Sequence, residues 1–235
     1  MFIGHFALGF AAKRVAPRAA LPLLLAAPQV LDILWPIFNL CGLERAHIQP
    51  GATAASPLVL EYMPYSHGMV AAIGWSVLVG VAYAVIRRDV RTAIVLGLLV
   101  SSHWVLDWIS HSPDMPILYG DGPRYGLGLW NSIPATLGVE AAMFLAGVLI
   151  YTHTTRARDR IGRVALWALV ALLAVMFVGA VLGPPPPDGK GVFIVAIAAY
   201  SLLLVAWWID RHRETIGTAD DLGKPVPPTT SMLMP

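Results

Sequence analysis

The sequence predicts an all-α fold, a polytopic membrane bundle of six transmembrane helices preceded by a short, half-inserted N-terminal helix. Three observations predict it. The first is composition: of 235 residues, 57% are hydrophobic and only 13% are charged, and the mean hydropathy is +0.68. An ordinary soluble domain carries roughly 25% charged residues, and one of this size cannot hide so much apolar surface from water. The second is segment length. Six stretches, 19–40, 67–86, 91–111, 129–151, 164–183 and 190–209, reach the roughly 20 apolar residues a bilayer crossing needs. The third is charge placement. Of the 16 basic residues, 13 fall in alternate connections: Lys13, Arg14 and Arg18; Arg87, Arg88 and Arg91; Arg156, Arg158, Arg160 and Arg163; Arg211, Arg213 and Lys224. The other connections hold only Arg45, Arg124 and Lys190. By the positive-inside rule the rich side is cytoplasmic. The alternation supports six spans independently of hydropathy.

These observations exclude a cytoplasmic globular enzyme and a disordered chain. A single cysteine, Cys41, excludes a disulfide scaffold and a cysteine-based metal cage. A net charge of +2 points to no nucleic-acid partner. The expected partner is the lipid bilayer of a bacterial-type inner membrane, with the N-terminal basic turn and the C-terminus cytoplasmic.

The elements follow in order. Residues 1–12 are apolar but too few to span, and their charges follow the apolar run, the reverse of a secretory signal. They read as a half-inserted helix carrying His5, turning at Lys13–Arg18 and climbing back as span one. Span one resembles a signal h-region at Ala19–Ala27, but its apolar run continues to Leu40, so it is read as an uncleaved span. It carries Pro28, Asp32 and Pro36. Span two opens at His67. Span three carries His103 and Asp107, with His111 at its end and Asp114 in the loop beyond. Span four carries Glu140. Spans five and six are clean, joined by a stiff Pro184–Pro187 turn. Residues 1–214 form one membrane domain, and 215–235 are polar and Pro-rich, expected to be a disordered cytoplasmic tail.

Ionisable residues inside a membrane are costly and mark functional positions. Asp32, His67, His103 and Asp107 lie at similar depth in three different spans, near the outer leaflet. His103, Asp107 and His111 recur every four residues and share one helix face. Each step rises about 6 Å, so one ion with ligand bonds of about 2 Å cannot join His103 to His111. Two ions with Asp107 between them could, an arrangement common in phosphoester hydrolysis. A lone membrane His or Asp also serves simply to bond a neighbouring helix. His47, His153 and His212 lie in loops or at span ends and read as solvated. Glu140 fits a ligand, a general base or a packing group.

The segments GHFALGFAAKR, LAAPQVLDILWP, YSHGM and SHWVLDWISHSPDMP, in this order, resemble the YdjM-like family of inner-membrane metal-dependent hydrolases. The resemblance covers residues 1–135 and weakens after them. It implies a polar site of His5, Asp32, His67, His103 and Asp107, with His111 and Asp114 in an extension seen in some members. One departure is visible: where the family pattern has Pro-Asp-x-Asp, this chain has Gln29 three residues before Asp32, so one acidic position is missing. The order Asp32, His67, His103, Asp107, His111 is also similar to that of the helical zinc phospholipase C and nuclease group, by analogy alone.

The leading expectation is a membrane hydrolase with a divalent metal: zinc, or alternatively manganese or iron, on His and carboxylate ligands. Its metal ligands are His5, Asp32, His67, His103, Asp107 and His111, and Asp32 or Glu140 takes the proton. The substrate is a phosphoester or lipid head-group bond in a lipid or lipid-linked molecule. Two alternatives compete. A divalent metal-ion transporter would resemble the cation diffusion facilitators, but it needs polar groups on both halves of the bilayer. A non-catalytic scaffold would use the cluster only for packing.

Overall fold

The computed structural model describes residues 1–118 and 122–216. It is a helical bundle in which six segments are long and apolar enough to cross a membrane: Leu21–Leu40, Met69–Arg87, Val90–Ser110, Ile133–Thr154, Arg160–Leu182 and Gly189–Arg211. This is compatible with an integral membrane protein. The helices are α1 (Ile3–Ala12), α2 (Leu21–Ala26), α3 (Val30–Leu40), α4 (Met69–Arg87) and α5 (Val90–Ser110). They continue as α6 (Ile133–Thr154), α7 (Arg160–Leu182), α8 (Gly189–Ala199) and α9 (Leu202–Arg211). Residues 217–235, most of the segment expected to be disordered, lie outside the described residues.

The first and last spans are each broken in two. In span one, Pro28 has no N–H to give Leu24, four residues back. The chain tightens into a 3₁₀ turn over Ala27–Gln29 before α3 begins. Gly9 of α1 packs against the same place, where a Cβ would lie 2.5 Å from the Leu24 carbonyl oxygen. The last span breaks at Tyr200–Ser201, between α8 and α9.

α1 is buried in the bundle. Ile3, His5, Phe6, Ala7 and Phe10 are all buried. It lies along α6, where Gly147 allows the approach: a Cβ there would stand 2.3 Å from the Ala7 carbonyl oxygen. Phe10 packs edge-on to Phe144 and Tyr151. This core continues through Leu166, Leu173 and Ile209 of α7 and α9. A second core joins α2, α3, α4 and α5 through Leu24, Leu31, Ala72, Leu96 and Val100. The outward faces stay apolar, as at Val85, Ile86, Leu98 and Val175, which suits lipid rather than water.

The arginine-rich connections meet at one end. Lys13 Nζ donates to the Ala19 carbonyl and pairs with Asp210 at 3.3 Å. β5 (Thr155–Ala157) pairs antiparallel with β6 (Arg213–Thr215), joining the ends of α6 and α9. Thr215, the first residue of the expected tail, therefore sits in a strand. At the opposite end, β1 (Arg45–Ile48) and β2 (Leu58–Tyr62) form a hairpin packed on Trp35 and Phe193. β3 (Met115–Pro116) and β4 (Arg124–Tyr125) form a third short pair, and Arg124 donates to the Leu60 and Glu61 carbonyls, pinning the hairpin.

Candidate metal centre

Four helical elements bring the predicted polar residues together at the hairpin end. α3 supplies Asp32, the residue before α4's N-cap Gly68 supplies His67, α5 supplies His103 and Asp107, and α1 supplies His5. His103 and Asp107 need only the helical repeat to meet, and their Nε2 and Oδ2 atoms are 2.9 Å apart. His67 Nε2 lies 3.3 Å from His103 Nε2, 3.3 Å from Asp32 Oδ1 and 3.5 Å from Asp107 Oδ2. Asp32 Oδ1 lies 3.6 Å from His103 Nε2.

These separations are the key geometric fact. Four ligand atoms about 2.05 Å from one ion in a tetrahedral array stand about 3.3 Å from one another. Five of the six separations among Asp32, His67, His103 and Asp107, every pair but Asp32–Asp107, run from 2.9 to 3.6 Å. Among the described residues, Asp32, His67 and His103 form one group able to hold an ion, and His5, His103 and Asp107 another.

Hydrogen bonding fixes which imidazole nitrogen faces inward. The Pro28 carbonyl can only accept, and it lies 2.6 Å from His103 Nδ1. His103 Nδ1 therefore carries a proton and donates it. On His67, Nδ1 lies 2.8 Å from Ser66 Oγ, which in turn lies 2.6 Å from Glu44 Oε2. Glu44 accepts the Tyr65 and Ser66 amides through its other oxygen. As a carboxylate it takes the one Ser66 hydroxyl proton, so Ser66 accepts from His67 Nδ1–H. Both rings thus turn Nε2 into the cluster beside two carboxylates. That donor set, with outer partners orienting each His, suits a divalent cation.

The other predicted residues surround this group. His111 Nδ1 is 3.1 Å from Asp114 Oδ1, while its Nε2 lies 3.8 Å from Asp107 Oδ2, at the edge of the cluster. Asp107 Oδ2 thus stands between His103 and His111. His5 Nε2 donates to Asp107 Oδ1 at 3.0 Å, and its ring stacks on His103 at 3.8 Å. The Met1 α-amino group also donates to Asp107 Oδ1, and reaches Ser110 Oγ at 2.9 Å. Glu140 is buried, but its Oε2 accepts the Phe2 and Gly4 amides at 2.7 and 3.1 Å. It holds the start of α1, where a carboxylate is favoured by the helix N-terminus. Gln29 is also buried. Its Oε1 accepts from Tyr200 at 3.4 Å, and its Nε2 has no partner among the described residues.

Sequence reasoning missed Glu44 and the Pro28 carbonyl. Glu44 lies 22 residues before Ser66 in an outer loop, and no helical spacing ties the two. Pro28 is noted in span one, but nothing in the sequence marks its carbonyl as an acceptor.

Comparison with models of protein families, with curated proteins and with solved structures found no match.

Proposed function

We propose that the protein is a membrane-bound, metal-dependent hydrolase acting on a phosphoester, in keeping with the YdjM-like resemblance of its motifs. The observation that carries this reading is the close approach of His67 and His103 to each other and to both Asp32 and Asp107, with both His rings held by outer hydrogen bonds. His and carboxylate ligands without cysteine favour zinc. When bound, such an ion supplies Lewis acidity and lowers the pKa of water towards 7.

The chain's own groups do the rest. His5 and the Met1 amino group hold Asp107, and Glu44 holds His67 through Ser66. Asp32 is the most open of the four, its side chain 29% exposed. It takes a proton from the attacking water as the water oxygen bonds to phosphorus. The ester P–O bond breaks, and the leaving alkoxide takes that proton from Asp32. Glu140 is less suited to this step, since two amides already occupy its Oε2.

The positive-inside rule makes the arginine-rich end cytoplasmic and the cluster an outer-leaflet site. A membrane-impermeant maleimide should then label the native, exposed Cys41 only from outside. The transporter alternative is less favoured, since the cores below the cluster are apolar. The deciding test is zinc-dependent hydrolysis of phosphomonoester and phosphodiester probes by purified protein, abolished by chelator and restored by zinc. Zinc uptake into proteoliposomes without hydrolysis would favour transport instead.

A further inference from the structure

The cluster opens into a cavity of about 560 Å³, within the 300–1,000 Å³ typical of small-molecule sites. Its two parts differ in chemistry. Asp32, His67, Asp107 and His111 line one part. The remainder is bounded by apolar side chains such as Phe6, Trp35, Leu173, Phe177 and Val192. At about 30 Å³ per group, the share of one water in the liquid, the whole cavity has room for roughly 20 heavy atoms. A water-soluble phosphoester has no use for such a compartment.

The helices also leave a side entrance. α7 and α8 are consecutive antiparallel spans, yet they barely touch. The break at Tyr200–Ser201 lets α9 pack on α7 and α2 while α8 turns away to pack on α3. The gap therefore widens towards the cluster end. Gly179 and Ala180 of α7 line the cavity from one side, and Ala196 of α8 from the other. A Cβ at Gly179 would meet no atom within 4 Å, so the space beside it is open. The β1–β2 turn lines the cavity too, through Pro50 and Thr53. Where the apolar wall meets the cluster, Gln29 Nε2 and Trp35 Nε1 are buried donors without partners among the described residues. They suit an incoming ligand's oxygen atoms.

We propose that this cavity holds the hydrocarbon chain of the substrate, so that the molecule cleaved is a phosphorylated amphiphile entering sideways from the bilayer between α7 and α8. This rests on the hydrolase reading: the phosphate lies at the metal cluster and the chain along α7 and α8. Gln29, standing where the family pattern has an acid, then contributes a neutral donor to the phosphate end, where a carboxylate would repel it.

The test uses the full chain in nanodiscs, loaded with zinc. The probe is dodecyl phosphate with a photoactivatable diazirine at the chain end. Crosslinks should map to Met176–Gly183 and Val192–Ala199, and should saturate. Unlabelled dodecyl phosphate should displace them, and methyl phosphate at the same concentration should not. Gly179→Trp, and separately Ala196→Trp on the facing wall, should cut saturable labelling at least tenfold while zinc per chain stays unchanged. Retained zinc reports that each variant folds. Equal labelling of the zinc-loaded wild type and both variants overturns the chain site and leaves the hydrolase reading standing. A wild type that binds no zinc overturns the hydrolase reading itself, and the placement of the phosphate with it.

Discussion

Ser66→Ala tests whether His67 is held as a ligand or merely packed. The hydroxyl links Glu44 to His67 Nδ1 over contacts of 2.6 and 2.8 Å, and all three residues are buried. Removing it leaves His67 Nδ1–H without its acceptor and Glu44 Oε2 without its donor. The Tyr65 and Ser66 amides still hold the other Glu44 oxygen, so the loop keeps its anchor. Losing an outer hydrogen bond of this kind typically costs 10–100-fold in metal affinity, or about 1.4–2.7 kcal/mol. The assay is zinc competition against a calibrated chelator in detergent. The variant should bind zinc 10–100-fold more weakly, with far-UV dichroism unchanged. Ser66→Thr keeps the hydroxyl and should recover most of the loss. Equal zinc affinity in wild type and Ser66→Ala would refute the reasoning, since His67 would then need no orienting partner.

Two further outcomes follow from the geometry. Glu140→Ala strips the acceptor from the Phe2 and Gly4 amides. At about 1–3 kcal/mol for each buried group left unpaired, thermal stability in detergent should fall, and exchange of the α1 amides should speed up. An unchanged melting temperature would contradict the anchoring role. At the arginine-rich end, the Gly162 amide, aided by His212, holds the Asp159 carboxyl below the usual carboxylate range. A depressed carboxyl stabilises the fold above its ordinary titration range near 4 and loses that contribution as pH falls through its folded value. Wild type should therefore lose melting temperature between pH 6 and pH 3 more steeply than Asp159→Asn; equal slopes would contradict the cap.

The sequence made much of the bundle legible, for identifiable reasons. Lipid forbids polar surface over about 20 residues, so span number shows in hydropathy whatever the packing. The His103–Asp107 contact was legible because one helical turn fixes it. Asp32 and His67 were legible as partners because similar depth in neighbouring spans leaves polar groups little choice but each other. The position of His5 depended on α1 entering the bundle, where its ring stacks on His103 and its Nε2 donates to Asp107. What stayed hidden depends on chain reversals. Glu44 reaches Ser66 only because the outer loop folds back as the β1–β2 hairpin, bounded by Pro50-Gly51 and Ser56-Pro57, turn signals in a segment otherwise read as loop. Glu140 reads as a site acid on its helix, yet its partners are backbone amides of α1, which carry no side-chain signature. The break at Tyr200–Ser201 falls inside an apolar run, so hydropathy passes over it.

The central claim is that Asp32, His67, His103 and Asp107 share an ion, and elemental analysis tests it most directly. The protein is purified without chelating resin, incubated with zinc, freed of excess and measured beside His103→Ala. The account predicts at least one zinc per wild-type chain, and about a tenth of that or less in the variant, with both proteins monodisperse and helical. A wild type without stoichiometric metal, or equal zinc in the two proteins, would contradict it and leave the cluster as a hydrogen-bonded packing network.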